Sequence, residues 1–275
     1  MKSRFEAFKI TDKNGCEFYG GDQDWYLSNT RAMAGCSSVA GANALRALAK
    51  SNRSSHDTLK DSKRMSAPIR RALLSDKCSK DDFVLLMTDV YSVMRSFEIF
   101  PLNKIYDQKE RNNKFFKKIK PNNGRSSIGF IQGVLLYAGR LGLCLKCNAL
   151  PTAFMSKDKA DDFIKRGLKS SGAVVILTSY NEHSIKTKTG ICKMKCHFAT
   201  ITDISGDEIT ISTWGKEAKI DFNELVSSWH SIKAWESTLF YFEKAEKPEM
   251  IKSLLLSPLP FMKGIIQAII RKAAR

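Results

Sequence analysis

The chain has 275 residues, 43% of them hydrophobic and 10% aromatic, which is enough to bury a large core and excludes a disordered chain. Lys and Arg number 45 against 28 Asp and Glu, a formal net charge of +17, so the molecule carries a field that attracts polyanions: nucleic acid, anionic lipid, cell-wall polymers or acidic protein. No apolar run is long enough for a signal peptide or a bilayer span, and seven thinly spread cysteines argue against a disulfide framework. A reduced cytoplasmic setting is therefore expected, with export by a non-classical route left open.

The first segment ends in the turn-rich stretch FYGGDQDWYLSNTRAMAG. CSSVAGANALRALAK follows, rich in Ala and Leu and free of Pro. It predicts a helix opening at Cys36, with small residues that let neighbours approach closely. Residues 52–82 are polar, with short helical patterns around Met65–Leu74, and DDFVLLMTDVYSVMRSF predicts a helix opened by acidic residues. Residues 103–125 are strongly basic and lack apolar periodicity, as expected of an exposed inserted loop. Within it Lys104, Lys109, Arg111, Lys114, Lys117, Lys118 and Lys120 flank Phe115 and Phe116. Such interleaving suits nucleic acid, but a solvated loop with two aromatic anchors is the preferred reading.

SSIGFIQGVLLYAGRLG predicts a helix capped by Ser126 or Ser127 and closed by Gly142, and LCLKCNAL a strand. SKDKADDFIKRGLKSSG predicts a helix with Ser156 as its cap and Gly172 beyond its end. The period then changes to two. AVVILTS, CHFATITDI, EITISTW and KEAKIDF read as strands, SGDE as a tight turn between two of them, NELVSSW as a short helix and STLFYFE as a last strand. Helices first and an antiparallel sheet second make an α+β protein. Residues 1–242 then form one domain with a variable helical and basic insertion at about 51–125. Residues 243–275 form a Pro-containing linker and a basic amphipathic helix, FMKGIIQAIIRKAAR, suited to an anionic membrane surface, a partner's groove or its own domain.

A thiol is a useful nucleophile only as a thiolate, and the N-terminus of a helix lowers its pKa, as does a neighbouring imidazolium. Cys36 has that position, with Gly35 expected to let the backbone turn sharply into the helix. Of the four histidines, His56 lies in a polar stretch, His183 in the loop YNEHSIKTKTG and His230 after an amphipathic turn. His197 opens the strand HFATITDI, where a sheet would hold the ring, and is the preferred base.

A Gly-Cys at the head of an Ala-rich helix, then a His opening a strand, then a hairpin ending in Trp-Gly, resembles the papain-like cysteine peptidases. GGDQDWYLSNTRAMAGCSSVAGANALRAL and HFATITDISGDEITISTWG are most similar to bacterial members, the double-glycine leader peptidase branch and clostridial-type relatives among them. The resemblance covers 18–50 and 172–242. It implies a helical half carrying the nucleophile, packed on an antiparallel half carrying the base, and amide hydrolysis with no cofactor and no metal. By that resemblance Cys36 is the nucleophile, His197 the base, and Gln23, thirteen residues before Cys36, the oxyanion donor together with the Cys36 N–H, with Asn29 as its rival. The family's third member is Asn or Asp. Here the matching ISTWG offers Ser212 or Thr213, with Trp214 shielding the pair, while Asp203 lies about 20 Å along the strand from His197. Gly35, Trp214, Lys193 and Lys195 are expected to touch substrate. Lys186, Lys188, Lys193 and Lys195 would rim the cleft and favour an acidic peptide or protein substrate.

A zinc reading competes, because Cys144-x2-Cys147 and Cys192-x3-Cys196 have ligand-like spacings. LCLKCNAL lacks the turn residues of a zinc knuckle, and strand alternation puts its two cysteines on opposite faces.

Overall fold

A computed structural model describes residues 4–27, 35–96, 127–178, 182–230 and 237–256. The basic stretch 103–125, Asn29, Ser126 and the C-terminal amphipathic segment lie outside the described residues.

In chain order the elements are α1 (Arg4–Phe8), β1 (Lys9–Thr11), β2 (Glu17–Tyr19), a 3-10 turn (Gln23–Trp25), α2 (Cys36–Ser51), α3 (Arg53–Asp61), α4 (Ala67–Leu74) and β3 (Cys78–Ser79). Next come α5 (Lys80–Ser96), α6 (Ser127–Arg140), β4 (Leu145–Pro151), α7 (Lys157–Ser171), β5 (Val174–Leu177), β6 (His183–Thr187) and β7 (Gly190–Met194). The chain continues through β8 (Phe198–Ser205), β9 (Glu208–Thr213), β10 (Lys216–Asp221), α8 (Phe222–Ser228), β11 (Thr238–Lys244) and α9 (Lys247–Leu256). The result is mixed α+β with an eight-stranded antiparallel sheet in the order β4-β11-β5-β8-β9-β10-β6-β7.

Alternation in the central strands explains the layers. Val175, Leu177, Phe198, Phe240 and Phe242 face a core shared with α2, α5 and α6. Val174, Ile176, Ala199, Ile201 and Leu239 face a second core beneath α7 and α8. Both faces are therefore covered. Helix α2 is buried from Cys36 to Ala49, as its small residues predict. A Cβ at Gly41 would stand 3.1 Å from Met94 and Val134, so the Gly sets how closely α5 and α6 approach.

Helices α3, α4 and α5 pack into this architecture: Leu59, Ile69, Leu73, Phe83, Leu86 and Met87 all join the first core. Arg46, on α2, is almost fully buried. It donates to the carbonyls of Ala7 (2.8 Å) and Ser75 (3.0 Å), and to that of Ala72, tying α1 and α4 to the central helix. Of the predicted helix ends, Gly172 takes the left-handed conformation (φ 74°), as a C-terminal Gly should. Ser156 occupies its cap position without a side-chain capping bond.

Three expectations are corrected. His183 stands in no loop: it opens β6, where burial of His183 and Ile185 alternates with exposure of Ser184 and Lys186. The reading missed a three-stranded sheet, β2-β1-β3, whose β1–β3 pair is parallel. Gly35 has φ −82° and ψ −5°, ordinary right-handed values open to any residue, so the helix entry uses no glycine-specific backbone. Among the described residues no helix is long and apolar enough to cross a membrane.

Candidate functional site

The N-terminus of α2, the entrance of β8, the end of β9 and the 3-10 turn converge on one cavity. Its walls include Gln23, Cys36, Asn43, His197, Thr213 and Trp214. Each element brings its residue for a local reason. The 3-10 turn at Gln23 is capped by Asp22, whose carboxylate accepts from Asp24 N at 3.0 Å. The first turn of α2 is braced by Ser38 Oγ, which donates to the Gly35 carbonyl at 2.8 Å and meets the Tyr26 hydroxyl at 2.6 Å. His197 is pinned through its backbone, its N–H donating to Thr178 Oγ1 (3.1 Å) and its carbonyl accepting from Thr178 N (2.9 Å).

The imidazole is held on two sides. His197 Nε2 lies 2.8 Å from Thr213 Oγ1. The Trp214 ring covers it, centroids 4.7 Å apart at 35°. Trp214 and Gly215 form the two-residue turn between β9 and β10, both left-handed (φ 49° and 67°). A left-handed Trp is strained relative to the Asn usual in such turns, and the strain falls at the residue that packs on the histidine.

Sequence offered Ser212 or Thr213 beside His197, and the structure separates them. Successive strand residues point to opposite faces. Thr213 therefore meets His197, while Ser212 points toward α2 and donates to the Tyr19 carbonyl at 2.7 Å. Asp203 is exposed farther along β8, away from the ring.

Electrostatics differ from the sequence expectation. Cys36 is 9% exposed, and burial pushes its thiol above the ordinary value, while the backbone N–H groups of Phe198, Ser37 and Cys36 pull it back. Burial also pushes His197 down to about 4. Both partners therefore rest uncharged at neutral pH: desolvation outweighs the start of α2, and the thiolate expected there is not the resting form. Gln23 Oε1 is buried with no hydrogen-bond partner among the described residues. Its two amide atoms are interchangeable by a flip, so one polar atom of Gln23 is uncommitted on the wall that it shares with Cys36.

The four lysines do not line this cavity. Lys186 and Lys193 lie on β6 and β7 at the far end of the strand order, and Lys193 pairs with Glu182 at 2.5 Å. Lys188 is in the turn between those strands, and Lys195 stands two residues before His197. Cys192 is exposed on β7, whereas Cys147 is partly buried on β4. Among the described residues no three His, Cys, Asp or Glu side chains gather as a metal site.

Sequence reasoning missed Asn43. It lies two turns along α2 from Cys36, is 2% exposed, and bonds to both the sheet and the Gln23 loop. A buried Asn in an Ala-rich helix was the available signal. The chain matches no protein-family model and no curated protein.

Proposed function

We propose that the protein is a thiol hydrolase of the papain-like kind, a cysteine peptidase that cleaves amide bonds with Cys36 as nucleophile and His197 as base. The observation that carries this reading is the His197–Thr213 hydrogen bond under Trp214, on the wall of the cavity that Cys36 and Gln23 share. In the tautomer that donates Nε2–H to Thr213, Nδ1 holds the lone pair.

Because both groups rest neutral, the proton moves as the bond forms. His197 Nδ1 takes the Cys36 proton while Sγ attacks the carbonyl carbon. Negative charge gathers on the carbonyl oxygen, which the Gln23 amide and the Cys36 N–H stabilise. The C–N bond then breaks, His197 protonates the leaving amine, and a thioester remains. Water attacks it, giving its proton to His197, and the acid departs as the thiol is restored. Thr213 orients the ring but offers no charge to the imidazolium, so it stabilises that state less than a carboxylate would. The net charge of +17 favours acidic peptide or protein substrates.

The burial of Cys36 favours a second reading, a papain-like module that binds an anionic partner without turnover. The same chemistry on a side-chain or non-peptide amide is a variant of the first. Iodoacetamide labelling at pH 7, read by mass spectrometry at Cys36, separates the two classes. The hydrolase reading expects His197→Ala to slow labelling by about 100-fold, the usual scale of general-base assistance, and Thr213→Val by about 10-fold. Equal rates in the protein and in His197→Ala would leave only the binding module.

A further inference from the structure

We infer that Asn43, together with Ser212, is a positioning residue that holds the loop bearing the oxyanion donor Gln23 against the nucleophile helix. The inference rests on the hydrolase reading above.

The loop from Tyr19 to Gln23 is tied to α2, β9 and the following turn by several hydrogen bonds, besides the one from Gly20 N to the Phe8 carbonyl at 2.6 Å. Gly21 N donates to Asn43 Oδ1 at 3.1 Å. Asn43 Nδ2 donates to Ser212 Oγ at 3.2 Å and to Thr200 Oγ1 at 3.4 Å. Ser212 Oγ passes the chain on to the Tyr19 carbonyl at 2.7 Å. On the other side the Trp214–Gly215 turn clasps the same loop, with Tyr19 N donating to Gly215 O (2.9 Å) and Gly215 N to Gly21 O (3.0 Å). Asn43 thus spends its acceptor on the loop and its donors on β8 and β9, all in a buried setting where a lost partner is costly.

The fit is close as well as polar. Gly20 has φ 78°, and a Cβ there would stand 2.1 Å from Ser212 Oγ and 2.9 Å from Asn43 Nδ2. The loop lies directly on the Asn43–Ser212 pair at Gly20, three residues before Gln23. The pair therefore joins three parts of the proposed chemistry: the helix of Cys36, the strand of Thr213 and the loop of Gln23. Gln23 has no hydrogen bond of its own from Oε1 among the described residues, so its aim depends on where the loop is held. An oxyanion donor contributes only at the right distance, so a loop displaced by about 1 Å forfeits most of its effect.

The test compares two reactions of Cys36. Iodoacetamide alkylation displaces iodide and builds no oxyanion, whereas acylation by p-nitrophenyl acetate does. Asn43→Ala should slow acylation by about 10-fold or more through its rate constant and not through KM, and leave alkylation within about twofold. If Asn43 acts through Gln23, the double variant Asn43→Ala/Gln23→Ala acylates as slowly as Gln23→Ala alone. Additive losses, or alkylation falling as far as acylation, would overturn the inference. Should Asn43→Ala fail to give the native circular dichroism spectrum, Ser212→Ala replaces it in the same cycle with the same expectations. Acylation by the unaltered protein that does not depend on Cys36 and His197 is a separate outcome, which removes the hydrolase reading and this inference with it.

Discussion

His197 carries a consequence for stability that its chemistry alone would not suggest. Burial favours the neutral ring in the folded protein and holds its pKa at about 4, against an ordinary 6.5. The folded state therefore refuses a proton that the unfolded chain accepts below about 6.5. The stabilisation is complete above that pH and is lost as pH falls toward 4, an effect on the order of 3 kcal/mol. Buried His183, also pushed down by burial, acts in the same direction. Urea unfolding at pH 7 and pH 4.5 should show a marked loss of stability at the lower pH, and a smaller loss in His197→Gln; equal losses in both would mean that other groups govern the acid limb. Much of this site was legible in the sequence. The places of Cys36 at the head of an Ala-rich helix and of His197 before an alternating strand are written in local pattern. Ser212 and Thr213 could not be told apart, because both faces of β9 are buried and neither position shows the polar signature of an exposed face. Asn43 stayed hidden because its partners Thr200 and Ser212 lie 157 and 169 residues away, beyond the reach of any local pattern.

Among the elements, the Gly20 turn is the most sharply constrained. Its φ of 78° and its contact with Ser212 leave no room for a side chain. Gly20→Ala should cost at least about 2 kcal/mol, combining left-handed strain with overpacking, measured as a lower midpoint in urea. Gly206→Ala makes the control: it is also left-handed (φ 58°), but nothing lies within 4 Å of its Cβ position, so it should cost only the strain. Similar losses at the two positions would argue against close contact at Gly20. Element types were read well where periodicity was strong, as in α2, α5, α7, β8 and β9. Strand β6 was misread because HSIKT places a histidine, not an aliphatic residue, at a buried position, which masks the period of two. Strands β1 to β3 are two or three residues long, too short for any period to declare itself.

For the molecule as a whole, charge and sheet edges matter most. With a net charge of +17, encounter with an acidic substrate should be steered, and kcat/KM for an acidic peptide should fall steeply between 20 and 300 mM salt while that for a neutral peptide hardly changes. Parallel salt curves for the two would dismiss steering. The two edges of the large sheet are protected differently. Helix α9 covers β4, with Cys147 N donating to Ser253 Oγ at 2.9 Å, whereas β7 presents Lys193 and an exposed Ile191 to solvent. A charged edge resists pairing with another chain, and a covered one has no free backbone to offer.

The long separation between α2 and β8 also bears on how the protein is made. Cys36 is synthesised roughly 160 residues before His197, an interval on the order of 10–30 s at ordinary translation rates. Throughout that time the helix of Cys36 has neither β8 nor β9 to pack against, and neither His197 nor Thr213 exists. A nascent chain therefore carries Cys36 without the residues that enclose it in the folded protein. The cavity around Cys36 can form only once the late strands β8 and β9 close over the early helix α2.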